Sequence, residues 1–230
     1  MQPSPPLTRD TIHSTLSTTW LGRRIELFDC LPSTNREAVC LAQAEVEHGT
    51  VVIADCQTAG RGRLSRTWFS PPGANLYCSI ILRMVRPPDR LTEWLSWLPL
   101  ISALAAAEAI EQVSSTNVSV KWPNDLLISE RKVGGILCES GTGTRSGPFQ
   151  VIGIGINVNV DHEDWPADLC DSATSIWQER RIVVDRNRLL AQLLLELEQC
   201  LEELTVHGIS QLALAISNAA RPSAIGYKRR

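Results

Sequence analysis

Apolar positions recur along this chain at two periods, and the two periods assign most of its elements. Leu189, Leu190, Leu193, Leu194, Leu197, Leu201 and Leu204 fall on one stripe at helical spacing. They predict an amphipathic helix capped by Asp185 and ended by Gly208, with core packing as its role. Leu91 to Val113 is apolar on nearly all sides and predicts a buried helix with a kink near Pro99. Trp94 and Trp97, at i and i+3 on it, are expected in the core. Its most apolar part, Leu95 to Ile110, carries Ser96, Pro99, Ser102 and Glu108 and is shorter than the roughly 20 residues that span a bilayer. The short period predicts strands at Ile25–Phe28, Val51–Ala54, Leu76–Met84, Val118–Trp122 and Gln150–Val160. Leu126–Ser129 and Lys132–Glu139 predict a hairpin about Glu130-Arg131. Thr34 with Glu37 three residues on predicts a capping box, and a helix from Asn35 to Glu47 ending near Gly49. Met1 to Leu21 reads as irregular. Asp161 to Gln178 reads as a loop with a short helical piece.

One stretch fits neither period. Asp55-Cys56-Gln57-Thr58-Ala59-Gly60-Arg61-Gly62-Arg63-Leu64-Ser65-Arg66-Thr67-Trp68 turns glycine-rich and basic just after an apolar strand. Glycines let backbone N–H groups approach a ligand, and guanidinium forks suit an anion. The bland alternative is a basic surface loop. Gly134 and Gly135 sit inside a strand, where glycine costs stability unless something approaches closely. Lys132 stands beside them. Gly153 and Gly155 share one face of the strand after Gln150 and superficially suggest a nucleotide fingerprint. No helix follows and the third glycine is missing, so a Rossmann assignment fails.

Composition then narrows the chemistry. The chain has 230 residues, 43% of them hydrophobic, which suits one large domain or one with a small appendage. A net charge of −3 argues against a general nucleic-acid binder. The seven cysteines are single and the four histidines lie far apart, so neither a disulfide framework nor a zinc site is expected. Reduced thiols in a cytosol fit best. No signal peptide opens the chain. There is no Walker loop, no Gly-x-Ser-x-Gly elbow and no Ser-His-Asp candidate. Arginines, one lysine and glycine pairs without a nucleophile suit catalysis by positioning and charge neutralisation.

Four motifs in order carry a resemblance. They are Ser33-Thr34-Asn35; Gln57 with Gly60-Arg61-Gly62-Arg63 through Trp68; Lys121-Trp122-Pro123-Asn124-Asp125 with Lys132-Val133-Gly134-Gly135-Ile136-Leu137; and Gly153-Ile154-Gly155-Ile156-Asn157. Together they resemble the catalytic part of biotin protein ligases. The resemblance implies an α/β (α+β) fold: a mixed sheet with helices mostly on one side, of the class II tRNA synthetase-like kind. It implies activation of biotin with ATP and Mg²⁺ as biotinyl-5'-AMP, then transfer to a lysine of a biotin carboxyl carrier protein. Arg63 and Lys132 would be catalytic. Ser33, Thr34, Asn35, Gln57, Gly60, Arg61, Gly62, Arg63, Lys132, Gly134 and Gly135 would bind biotin. Arg61, Arg63, Trp68, Lys121, Asn124, Asp125, Lys132 and Asn157 would bind the nucleotide. No residue is assigned to a metal. Glycine often stands in the family where this chain has Ser65.

The implied organisation is an irregular segment over 1–21, a catalytic domain over 22–208 and a short segment over 209–230. Neither an N-terminal DNA-binding domain nor a C-terminal SH3-like barrel is expected. The expected partner is the carrier protein, with no nucleic acid and no membrane, a cytoplasmic location, and a homodimer compatible with all of this. Two rivals stand beside the reading: a lipoate- or octanoate-attaching enzyme of the same superfamily, and a non-enzymatic biotin- or adenylate-binding relic.

Overall fold

The computed structural model describes residues 4–83, 91–145 and 147–219, except for the side chains of 91–94 and 207–219. Met84, the Trp94 side chain and the basic tail Tyr227–Arg230 therefore lie outside the described residues. Seven strands form one mixed sheet: β1 (Ile25–Leu31), β2 (Val51–Gln57), β3 (Leu76–Arg83), β4 (Ser119–Lys121), β5 (Asp125–Ile128), β6 (Arg131–Gly143) and β7 (Gly147–Ile156). Their spatial order is β1-β2-β3-β7-β6-β5-β4. Only β1 and β2 run parallel; every other neighbouring pair is antiparallel. The predicted hairpin about Glu130-Arg131 is present as β5 and β6.

Strand alternation sorts the apolar side chains onto two faces. Val51, Ile53, Ile80, Leu82, Ile152 and Ile154 join the main core. Their neighbours Val52, Ile81 and Val151 point the other way, onto Ala38 and Ala42 of helix α2 (Thr34–Gln43). The main core is covered by α3 (Leu91–Ser114) and α5 (Arg186–Ala219), with α1 (Arg9–Thr15) laid against α5. Helices thus lie mostly on one side, and α2 lies alone on the other. Alanines at 103, 105, 106, 107 and 109 let α3 approach the sheet and α5 closely. All seven leucines of the predicted stripe are buried. Asp185 caps α5, accepting from the Asn187 amide at 2.9 Å.

Several expectations need correction. The N-terminal segment is not irregular throughout: Thr8 caps α1 through the Thr11 amide at 3.2 Å, and Ile12 buries its apolar side. So short a helix has too few apolar positions to show a period. Helix α2 ends at Gln43, not near Glu47, and Ser33 rather than Thr34 occupies its N-cap without a side-chain cap bond. The capping box does not form because the Thr34 hydroxyl is used elsewhere. Helix α5 runs through Gly208 to Ala219, so that glycine does not end it. Strand β7 stops at Ile156, where the Asn157 amide donates to Val133 O. Cys30 and Cys56, opposite each other on β1 and β2, form a disulfide, against the expectation of reduced thiols. The short Ile176–Arg180 helix, α4, fits the expected helical piece after Asp161.

One carboxylate joins the two ends of the chain. Glu198 of α5 is buried and accepts from the backbone amides of Thr19, Trp20 and Leu21 at 2.7 to 2.9 Å, and from the Thr19 hydroxyl. Burial alone would raise its pKa; these donors outweigh it and hold the carboxyl below its usual range. A depressed folded-state pKa stabilises the fold above the unfolded value, and that contribution is lost as pH falls through the folded value. Glu198→Gln should therefore lower stability by about 2 kcal/mol at neutral pH. The gap between parent and variant should shrink as pH falls through the carboxylate range. Thermal melts at neutral and acid pH check both; a gap constant with pH would show that the charge is irrelevant.

Candidate functional site

The polar floor of the site lies where β1 and β2 end and α2 begins. Gln57 Oε1, at the end of β2, accepts from the Thr34 amide at 2.8 Å and lies 3.2 Å from the Thr34 hydroxyl. Its amide nitrogen donates to Ser70 Oγ at 3.0 Å. Ser79 of β3 lies 2.6 Å from Asn35 Oδ1 and 2.8 Å from Thr34 Oγ1. Its single proton serves Asn35, and the Thr34 proton is left for Ser79 or Gln57. Asn35 Nδ2 donates to Leu137 O at 3.1 Å and to Glu139 Oε2 at 2.9 Å. Gly153 makes this arrangement sterically possible. A Cβ there would come within 1.9 Å of Asn35 Oδ1.

The wall is aromatic and cationic. The Trp68 ring packs on Gly155, where a Cβ would come within 2.8 Å of it. Its indole nitrogen is buried without a hydrogen-bond partner. Lys132 Nζ lies 5.4 Å from the Trp68 ring centroid and 2.5 Å from Asp125 Oδ1. Simple alternation would put Lys132 and Gly135 on opposite faces of β6. The register slips between Leu126 and Leu127 instead, so Lys132 and Gly135 come together. The segment after β7 holds the lysine backbone: Lys132 N donates to Ser172 O at 2.8 Å, and Thr174 N to Lys132 O at 2.9 Å. Asn157 Nδ2 donates to Lys132 O and Thr174 O.

The glycine-arginine stretch folds back across this wall as a small hairpin. Arg61 bridges to Thr67, Gly62 N donates to Arg66 O at 2.7 Å, and Trp68 N to Gly60 O at 2.9 Å. Leu64 and Ser65 turn the chain with φ of 54° and 60°, a region costly for both residue types. Two arginines tie the hairpin to the body. Arg61 makes a two-pronged pair with Glu139 at 2.8 and 3.2 Å, and Arg63 donates to Asn124 Oδ1 at 2.9 Å. With the hairpin as one wall the cavity is small, about 50 Å³, and partly open to solvent.

No side chain here is prepared as a nucleophile or base. Burial pushes the Cys78 and Cys138 thiols up to about 12, so neither supplies a thiolate. Burial likewise raises the Tyr77 phenol far above its ordinary value, and its hydroxyl donates to Pro71 O.

Of the residues the sequence singled out, Ser33, Thr34, Asn35, Gln57, Arg61, Gly62, Arg63, Trp68, Asn124, Lys132 and Gly135 line this one cavity. Gly60 and Gly134 do not reach it; they sit behind its walls, and a Cβ on Gly60 would meet Trp68 O at 2.4 Å. Lys121, Asp125 and Asn157 also stand outside the lining. Asp125 meets the site only through Lys132, and Asn157 only through the Lys132 backbone. Sequence reasoning missed Tyr77, Ser79 and Glu139. Period-two alternation was the available signal: Tyr77 and Ser79 follow one another on one face of β3, and Glu139 follows Gly135 and Leu137 on β6.

Comparison with known proteins identifies the family. The model of the biotin/lipoate A/B protein ligase family matches residues 27–159. The bifunctional ligase/repressor BirA of Bacillus subtilis (strain 168) is 37% identical over 208 residues, which cover 90% of this chain and 63% of that protein. The chain thus spans less than two thirds of that relative's length. The biotin–[acetyl-CoA-carboxylase] ligase of Mycobacterium tuberculosis is 33% identical over 196 residues, 84% of this chain and 70% of that one. Among solved structures, the biotin protein ligase from Aquifex aeolicus in complex with biotin and ATP superposes with a TM-score of 0.67 at 32% identity, covering 79% of this chain and 72% of that one. The fold is the class II synthetase-like one expected from the resemblance. By its match to the family model and its identity with these relatives, the chain belongs to the biotin/lipoate A/B protein ligase family.

Proposed function

We propose that this protein is an ATP-dependent ligase that joins biotin to a lysine of a biotin carboxyl carrier protein, by way of biotinyl-5'-AMP. The observation that carries the reading is one cavity lined both by neutral amide and hydroxyl groups and by Arg61, Arg63 and Lys132. A ureido ring needs paired neutral donors and acceptors, which Ser33, Thr34 and Gln57 offer. A carboxylate and a phosphate need cations. The structure from Aquifex aeolicus, by its description, holds biotin and ATP, which matches that division.

In the first step the biotin carboxylate attacks the α-phosphorus of ATP and pyrophosphate leaves. Two anions must meet, and Lys132, Arg61 and Arg63 offset their repulsion. Asp125 sets the position of Lys132, and Asn157 that of the backbone behind it. In the second step the acceptor lysine amine attacks the acyl carbon and AMP leaves. No covalent bond to the enzyme is needed, in keeping with the neutral buried thiols. Closure of the Gly60–Trp68 hairpin would exclude water from the anhydride. Among the described residues no group of three His, Cys, Asp or Glu side chains could hold a metal. Mg²⁺, taken to arrive with ATP, would supply further charge neutralisation beside Lys132, Arg61 and Arg63. No described helix is long and apolar enough to cross a membrane. A substrate set of ATP and a carrier protein supports a cytoplasmic reading, against which stands the Cys30–Cys56 disulfide.

Lys132→Ala should lower adenylate formation by roughly 10²–10³ with the fold intact, because one preorganised charge contact is lost. Biotin-dependent ATP–pyrophosphate exchange reads this directly, and exchange at the parent rate would overturn the role. Gly153→Ala should act on biotin instead, since its methyl displaces Asn35 and with it Thr34. We expect KM for biotin to rise by about tenfold or more while KM for ATP changes little. An equal rise in both would place Asn35 outside the biotin end.

A further inference from the structure

Glu139 belongs to none of the four motifs, yet it sits at the junction of the hairpin and the floor. One carboxylate oxygen receives Arg61 at 2.8 Å; the other receives Arg61 at 3.2 Å and Asn35 at 2.9 Å. Among the described residues this is the one ion pair between the glycine-arginine hairpin and the rest of the protein. The second tether, Arg63 to Asn124, carries no opposing charge. Asn35 continues the path through Ser79 to Thr34, and Thr34 through Gln57 to Ser70, whose hydroxyl donates to Trp68 O at 3.0 Å. A single hydrogen-bonded circuit therefore runs from one arm of the hairpin, at Arg61, across the floor to the other arm, at Trp68.

We propose that Glu139 is a positioning residue that latches the Gly60–Trp68 hairpin over the cavity through Arg61. The hairpin forms one wall of the cavity, through Arg61, Gly62, Arg63 and Trp68, so its position sets how much room a ligand has. The latch suits repeated opening. Its two side chains are 48% and 25% exposed, so water competes for both and the pair is readily broken. Its two-pronged geometry sets where the hairpin returns. Asn35 bonds the same carboxylate, so a group that binds at the floor also bears on the latch. As a statement about ligand retention, the proposal rests on the function proposed above; as a statement about the hairpin, it does not.

The hairpin carries its own reporter, because trypsin cuts after arginine and Arg63 and Arg66 lie within it. Glu139→Gln keeps the shape and an acceptor for Asn35 but turns an amide N–H₂ toward Arg61. Tryptic nicking after Arg63 and Arg66 in the ligand-free variant should be about three- to tenfold faster than in the parent, since nicking follows the open population. In an Arg61→Gln background the same substitution should add nothing, and the melting temperature should change little throughout. Parent-like nicking in Glu139→Gln overturns the latch. An undiminished effect in the Arg61→Gln background also overturns it, because Glu139 would then act through the fold. The second measurement is retention of biotinyl-adenylate, which should shorten by a similar factor. A parent protein that forms no adenylate would sink the proposed function and leave the nicking result to decide the latch.

Discussion

Asn35 is almost wholly buried, and the geometry of the site hangs on its one amide group. Its oxygen takes the Ser79 proton, and its nitrogen reaches β6 at Leu137 O and Glu139. A buried amide left short of partners costs one to three kcal/mol, about the margin on which a local arrangement stands. Satisfying all of these bonds at once fixes the start of α2 against β3, β6 and β7. That placement presents the Thr34 amide to Gln57. The missing side chain of Gly153 is the complementary feature, since any Cβ would occupy the space of the Asn35 oxygen. A helix start, three strands and one glycine are thus a single constraint, and the polar end of the cavity is its product.

The cationic end is built differently. Lys132 is paired with Asp125, Arg61 with Glu139, and Arg63 with a neutral amide oxygen. Each of these groups keeps access to water, so holding it in place costs little desolvation. The pairs do not neutralise the site against a phosphate. They keep long, flexible side chains from wandering, so less entropy is lost when an anion replaces or joins the partner. Charge at this end is held ready, whereas shape at the floor is rigid.

How much of this was legible in the sequence depended on the range of the interaction. Helices α3 and α5 and the strands were visible because their apolar periods are local properties of the chain. Helix α5 still passed its expected stop at Gly208, since a glycine inside a helix costs only about 1 kcal/mol and does not by itself end it. Thr34 and Glu37 had the spacing of a capping box, but Gln57 and Ser79 claim the threonine. Those partners lie 23 and 45 residues away, and no local rule could weigh them. The cavity's cations were legible because glycine beside arginine or lysine is rare enough to stand out. Glu139 was not, because a glutamate near the end of a strand is ordinary until Arg61 is placed beside it. The disulfide escaped for a similar reason: scattered cysteines carry no spacing signal, and Cys30 and Cys56 meet only through the parallel register of β1 and β2.

The hairpin shows why the working part of such a site cannot be its most stable part. Leu64 and Ser65 adopt left-handed conformations that cost L-residues roughly 1–2 kcal/mol each. Two tethers, Arg61 to Glu139 and Arg63 to Asn124, hold the hairpin to the body, and water competes for both. Buried ion pairs in place of the tethers would shut the cavity against its own ligand. A hairpin with no tether would leave the cavity open to water. The rigid floor around Asn35 makes such a marginal lid workable, because it keeps Glu139 in one place for Arg61 to return to after each opening.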